Sequence, residues 1–177
     1  MRGDSQPAAP LGDASSFRFA VIVSRFNEDI TASLRRAAVE ALKEAGAPDA
    51  HVQVFDVPGA FEIPQAARAA AETGRFDAIV CLGCVIRGET PHFDYLSSAV
   101  AHGITDAAGE TGVPMAFGVL TTDTVQQAAA RSGPGPGNKG REAAAAAIEM
   151  AILYGRIGAD AARYRLHGRH PGAREDA

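Results

Sequence analysis

Residues 81–95, CLGCVIRGETPHFDY, constrain this chain more than any other stretch. The apolar run 78–86 is long enough for a strand buried on both faces, the pattern of a sheet with helices on either side. Arg87, Gly88 and Glu89 then form a turn. Thr90 is the expected N-cap of a following helix, and Pro91 falls at its first position, where the missing N–H costs nothing. His92 lies in the first helical turn. A titratable imidazole beside free backbone N–H groups, at the C-terminal end of a parallel strand, stands where α/β sheets place chemistry. On these residues alone, a plain strand-to-helix connection with a solvated histidine reads equally well.

The rest of the chain repeats the strand-then-helix pattern. Residues 17–24 (FRFAVIVS) read as a strand, followed by Arg25-Phe26-Asn27. Asn27 or Asp29 is the expected cap of a helix with Ile30, Leu34, Ala38, Ala41 and Leu42 at helical spacing, stopped by Gly46. Residues 51–57 form a second strand, broken by Pro58-Gly59, and a helix over about 63–73 carries Pro64 in its first turn. The strand over 77–86 and a helix over about 91–108 come next. Residues 113–120 (VPMAFGVL) are a fourth strand, with Pro114 pointing to an edge position. The residues Thr121 to Thr124 read as a capping cluster before a short helix through Arg131. The segment 132–137 (SGPGPG) suits neither helix nor strand, and Asn138 caps an alanine-rich helix through about Tyr154. Strands alternating with helices imply a parallel sheet with right-handed crossovers and helices on both faces.

Three regions are expected: a flexible arm at 1–16, one domain at 17–157, and a disordered Arg/His-rich tail at 158–177. A net charge of −4 argues against nucleic acid as the main partner. No apolar run is long enough to span a bilayer, and the first residues lack the blocks of a signal peptide, so a cytoplasmic protein is expected. The two cysteines, Cys81 and Cys84, point to opposite faces of a strand and read as core residues, not as a disulfide or a metal site.

Every strand end carries something unusual. Phe26 follows the first strand, and Gly59, Phe61 and Glu62 follow the second. Gly88, Glu89, Thr90 and His92 follow the third, and Thr121 and Thr122 the fourth. In a parallel sheet these loops share one edge. Phe26 and Phe61 are either staples packing helices on the sheet or the floor of a slot for a flat ring. Glu62 either favours a helix dipole or accepts hydrogen bonds from a polar ligand. Gly88-Glu89-Thr90 offers N–H groups, a hydroxyl and a positive helix end, an anion site for which phosphate is the usual ligand. His92 is the one residue suited to proton transfer near neutral pH. Arg131 and Lys139 flank the Gly/Pro loop as surface cations or as groups delivered to a phosphate or polar ring.

These residues resemble the lumazine synthase family. The resemblance rests on RFN at 25–27, PGAFEIP at 58–64, GCVIRGETPHFDY at 83–95, FGVLTT at 117–122 and GNKG at 137–140, followed by the alanine-rich helix. It implies a flavodoxin-like three-layer αβα sandwich with a four-stranded parallel sheet. It further implies condensation of 5-amino-6-(D-ribitylamino)uracil with 3,4-dihydroxy-2-butanone 4-phosphate, with no cofactor and no metal. By resemblance, Phe26 stacks on the pyrimidine, Ala60, Phe61 and Glu62 hold the ribityl chain, and the backbone of Cys84, Val85 and Ile86 binds the pyrimidine. Gly88, Glu89 and Thr90 form the phosphate turn, and His92 transfers protons. Phe117, Arg131 and Lys139 match positions that reach the site from a neighbouring subunit, Arg131 toward phosphate and Lys139 toward the pyrimidine. One departure is Gly135, where some members carry a second lysine.

The resemblance also implies self-association into homopentamers, which in some members build a 60-subunit icosahedral shell. The alanine-rich face of 143–151 is expected to pack around such an axis. The alternatives are a non-catalytic flavin- or lumazine-binding module, a shell-forming protein, and a related riboflavin synthase of archaeal type. The first would dispense with His92 or the phosphate turn, the second with the strand-end residues, and the third with phosphate binding.

Overall fold

Four strands and five α-helices follow one another along the chain in the computed structural model, which describes residues 10–166, with side chains through residue 159. They are β1 (Phe19–Ser24), α1 (Glu28–Glu44), β2 (Val52–Val57), α2 (Ile63–Glu72), β3 (Ala78–Ile86), α3 (His92–Thr111), β4 (Met115–Thr122), α4 (Val125–Ser132) and α5 (Lys139–Leu166). The strands form one all-parallel sheet in the order β2-β1-β3-β4. Helices cover both faces, giving a three-layer flavodoxin-like arrangement. The chain winds outward from β1 to β2, then crosses back to β3. The switch point therefore lies between β1 and β3, where such sheets open a crevice at the strand ends.

Side-chain alternation along β3 builds two cores. Val80, Leu82 and Cys84 face α1, α4 and α5, together with Leu34, Leu42 and Ile148. Ile79, Cys81 and Val85 face α2 and α3, together with Ile63, Val100 and Ile104. The two cysteines are free, buried and on opposite faces, as their spacing predicts. Leu82 and Ile79 are each fully buried, a contribution of about 1.5–3 kcal/mol apiece.

Several boundaries differ from the sequence reading. β4 runs on through Thr122, because Thr121 and Thr122 pair with Val85 and Ile86 of β3. Thr124 is the residue that caps α4, its side chain accepting from the Gln127 N–H. α3 starts at His92 with Pro91 in the N-cap position and no capping side chain, so Thr90 is not the cap. The alanine-rich face of α5 is not left for a neighbour: Ala143, Ala144, Ala147 and Ala151 are buried in the chain's own core, against α1. A different stripe, with Met150, Leu153 and Ile157, stays exposed. α5 also continues to Leu166, past the expected end near Tyr154 and into the tail. Residues 11–16 of the expected arm lie on the domain, where Ala14 is fully buried and its N–H donates to the Ala45 carbonyl at 2.7 Å. Residues 1–9 and 167–177 lie outside the described residues. Among the described residues no helix is long and apolar enough to cross a membrane.

The Gly/Pro loop is organised by one buried side chain. Asn138 Nδ2 donates to the carbonyls of Ser132 and Gly133 at 2.8 and 3.0 Å, and its Oδ1 accepts the Gly140 N–H at 2.8 Å. This turns α4 into α5. Gly140 then lies directly against the Leu34 backbone, too close for any Cβ.

Candidate active site

The loop after β1 is shaped by an asparagine in the left-handed region. Asn27 has φ 60° and begins α1 without capping it by its side chain. Asparagine tolerates this conformation better than most residues. Its Nδ2 donates instead to the Cys84 carbonyl at 3.0 Å, across the switch point. Phe26, just before it, is 70% exposed. After β2 the chain makes a short 3-10 turn, Ala60–Glu62, closed by the Gly59 N–H donating to Glu62 Oε2 at 2.9 Å. Phe61 on this turn is 55% exposed. Two large aromatic rings that bury so little of their surface are not serving as packing staples in the isolated chain.

These loops and the end of β3 enclose a cavity of about 550 Å3. Nine of the expected site residues line it: Phe26, Ala60, Phe61, Cys84, Val85, Ile86, Gly88, Thr90 and His92. Gly59, one of the strand-end residues, also lines it, and Asn27, Phe93 and Leu96, which carried no such expectation, complete it. Asn27 reads from sequence as a helix cap and as the end of the RFN match, and a bond to a residue 57 positions away leaves no local signal. Glu62 and Glu89 are not among the lining residues; the Glu62 carboxylate is engaged with the Gly59 N–H. Burial pushes the Cys84 thiol up to about 11 and the Cys81 thiol up to about 12. Neither is a nucleophile near neutral pH.

A second cavity of about 370 Å3 lies along the free edge of the sheet, between β4 and the start of α5. It is lined by Phe117, Arg131 and Lys139, and it shares no lining residue with the first. Within the chain, Arg131 Nη1 donates to the Gln127 carbonyl at 3.0 Å, and Lys139 Nζ pairs with Glu142 at 2.6 Å. The twelve lining residues expected of one site thus fall into groups of nine and three in two cavities.

Residues 16–154 match the 6,7-dimethyl-8-ribityllumazine synthase family. The chain belongs to that family. A relative from Syntrophus aciditrophicus (strain SB), named 6,7-dimethyl-8-ribityllumazine synthase, is 51% identical over 144 residues, covering 81% of this chain and 94% of the relative. The family match spans every strand and the first four helices. Both cavities therefore lie within the part of the chain that is lumazine synthase-like.

Proposed function

We propose that this chain condenses 5-amino-6-(D-ribitylamino)uracil with 3,4-dihydroxy-2-butanone 4-phosphate to give 6,7-dimethyl-8-ribityllumazine, a step of riboflavin biosynthesis. Beyond family membership, the observation that carries the reading is the cavity at the β1/β3 switch point. It combines exposed rings at Phe26 and Phe61, the end of a buried strand, and the N-terminal turn of α3 with His92. That set suits a flat polar ring at one end and a phosphate at the other.

In this reading the pyrimidine stacks on Phe26 and meets the backbone of Cys84, Val85 and Ile86. Ala60, Phe61 and Glu62 hold the ribityl chain. The phosphate lies at Gly88, Glu89 and Thr90, near the positive end of α3. The amine of the pyrimidine attacks the ketone carbon, and loss of water gives an imine. Phosphate then leaves, the second amine closes the ring, and another water departs. The substrates supply the reactivity. The protein holds two reactants in register while His92 passes protons between them.

The reading includes assembly. Arg131, Lys139 and Phe117 complete the site from a neighbouring copy, Arg131 toward phosphate and Lys139 toward the pyrimidine. Support comes from the two separate cavities and from the exposed apolar side chains of Phe117, Met150, Leu153 and Ile157. A closed ring of five copies, alone or as part of a 60-subunit shell, joins each copy's first cavity to the next copy's second. Light scattering separates the ring from the shell.

The test is an absorbance assay for lumazine formation from the two substrates with assembled protein. Appearance of lumazine with one phosphate released per product is expected. Assembled protein that yields no product overturns the reading.

A further inference from the structure

The turn proposed to hold phosphate is fixed at its ends, not by contacts of its own. Residues 87–92 are all exposed, and a Cβ on Gly88 would meet nothing within 4 Å. Among the described residues, the side chains of Glu89, Thr90 and His92 have no hydrogen-bond partner. One guanidinium bridges the gap. Arg87 Nη1 and Nη2 donate to the two carboxylate oxygens of Asp94, each at 3.1 Å. Its Nε donates to Asp123 Oδ1 at 2.8 Å, and its Cζ stands 4.2 Å from the centre of the Phe93 ring. The Arg87 backbone N–H meanwhile donates to the Thr122 carbonyl at 2.9 Å. Arg87 thus ties the end of β3 to the first turn of α3 and to the residue after β4.

Two features say what this clamp is for. Its members are 42%, 62% and 64% exposed, and exposed ion pairs add little to stability. A bidentate arginine–carboxylate pair instead fixes geometry. The cation is also outnumbered by its two carboxylates, so it is a poor candidate to neutralise a phosphate itself. Phe93, held under the guanidinium, lines the same cavity as His92.

We infer that Arg87 is a positioning residue: by gripping Asp94 and Asp123 it sets the opening of the 88–91 turn and the placement of His92, and so controls capture of the phosphorylated substrate without touching it. The inference rests on the function proposed above. The test compares Arg87→Met, Arg87→Lys, Asp94→Asn and the Arg87→Met/Asp94→Asn pair in the full chain, reading kcat and KM for each substrate, oligomeric state, and calorimetric binding of inorganic phosphate. Arg87→Met is expected to lower kcat/KM for the phosphorylated substrate on the order of ten- to a hundredfold. The KM for the pyrimidine and the assembly should stay near wild type. Lysine should recover little of the loss, because it cannot make the two-pronged contact. The double variant should be no worse than Arg87→Met, the behaviour of two residues acting as a unit. If Arg87→Met does not assemble, Asp94→Asn carries the same comparison with the Asp123 bond intact. An equal rise in KM for both substrates, an unchanged kcat/KM, or fully additive losses overturns the inference. Wild-type protein that makes no lumazine but binds inorganic phosphate in an Arg87-dependent way overturns the functional reading alone. Phosphate binding indifferent to Arg87 overturns the inference.

Discussion

The Asn27 side-chain amide donates to the Cys84 carbonyl across 3.0 Å and so joins the loop after β1 to the end of β3. The bond spans the switch point of the sheet, where the larger part of the candidate site lies. It also explains why a non-glycine residue holds φ 60° there: the strained backbone aims the amide at its acceptor.

Asn27→Gly keeps the backbone conformation and loses the bond, so a loss of about 1 kcal/mol in unfolding free energy is expected. Asn27→Asp keeps the shape but turns an acceptor toward an acceptor, and its loss should exceed that of glycine. Denaturant unfolding of the two variants beside wild type checks the order. An aspartate variant as stable as wild type would show that the bond does not hold the strand end.

His92 stands at the start of α3, exposed and lining the cavity. Removing a proton-transfer group costs on the order of a hundredfold or more in many enzymes. Here the reactants are themselves an amine and a ketone, so His92→Ala should fall at or below the low end of that range. Pyrimidine binding should survive, because the proposed function rests the ring on Phe26 and the end of β3 and not on His92. Stopped-flow turnover together with equilibrium titration of the pyrimidine separates the two effects. Unchanged turnover would remove His92 from the mechanism.

What the sequence made legible was whatever depends on local pattern. The apolar runs of β1 and β3, the breakers at Pro58-Gly59, and the Asn138 cap all stand where residue chemistry puts them. What it hid depends on partners distant in sequence. Thr121 and Thr122 look like cap residues until β3 is laid beside them. Thr90 is a good cap by composition, yet α3 starts after Pro91, and Arg87 holds its first turn through Asp94. The alanines of α5 suit any close helix contact, and only the fold assigns them to α1. Ala14 lies in a stretch that reads as a loose arm, yet it is buried where α1 ends. The cavity followed the same division: Phe26, Phe61, Gly88, Thr90 and His92, beside the ends of β1, β2 and β3, line it, whereas the Asn27 bond to Cys84 joins residues too far apart in sequence to leave a local signal.

Gly140 offers a direct test of how α5 is seated. A Cβ at this position runs into the Leu34 carbonyl on α1, and backbone cannot step aside as a flexible side chain does. Gly140→Ala is therefore expected to cost at least the 1–3 kcal/mol typical of overpacking, roughly, despite alanine's better helix propensity. Thermal unfolding should show a lowered midpoint. An exposed control, Gly158→Ala, meets nothing within 4 Å and lies on the same helix, so it should hold or raise the midpoint. A Gly140→Ala protein as stable as wild type would mean that α1 and α5 pack less closely than described.

The division of site residues between two cavities predicts complementation between defective chains. Phe26 and His92 belong to the first cavity, and Arg131 to the second. In the proposed assembly, His92→Ala impairs the first half of every site and Arg131→Ala the second. If each site joins the first half of one copy to the second half of its neighbour, random co-assembly of the two variants leaves some sites with both halves intact. With equal amounts of each chain, roughly a quarter of the sites are whole in a closed ring. Activity of the mixture, refolded together, should exceed that of either variant alone toward that fraction of wild type. The same variants mixed after separate assembly should show no gain. A co-assembled mixture that stays at the mean of its two components would place all the residues of a site in one chain.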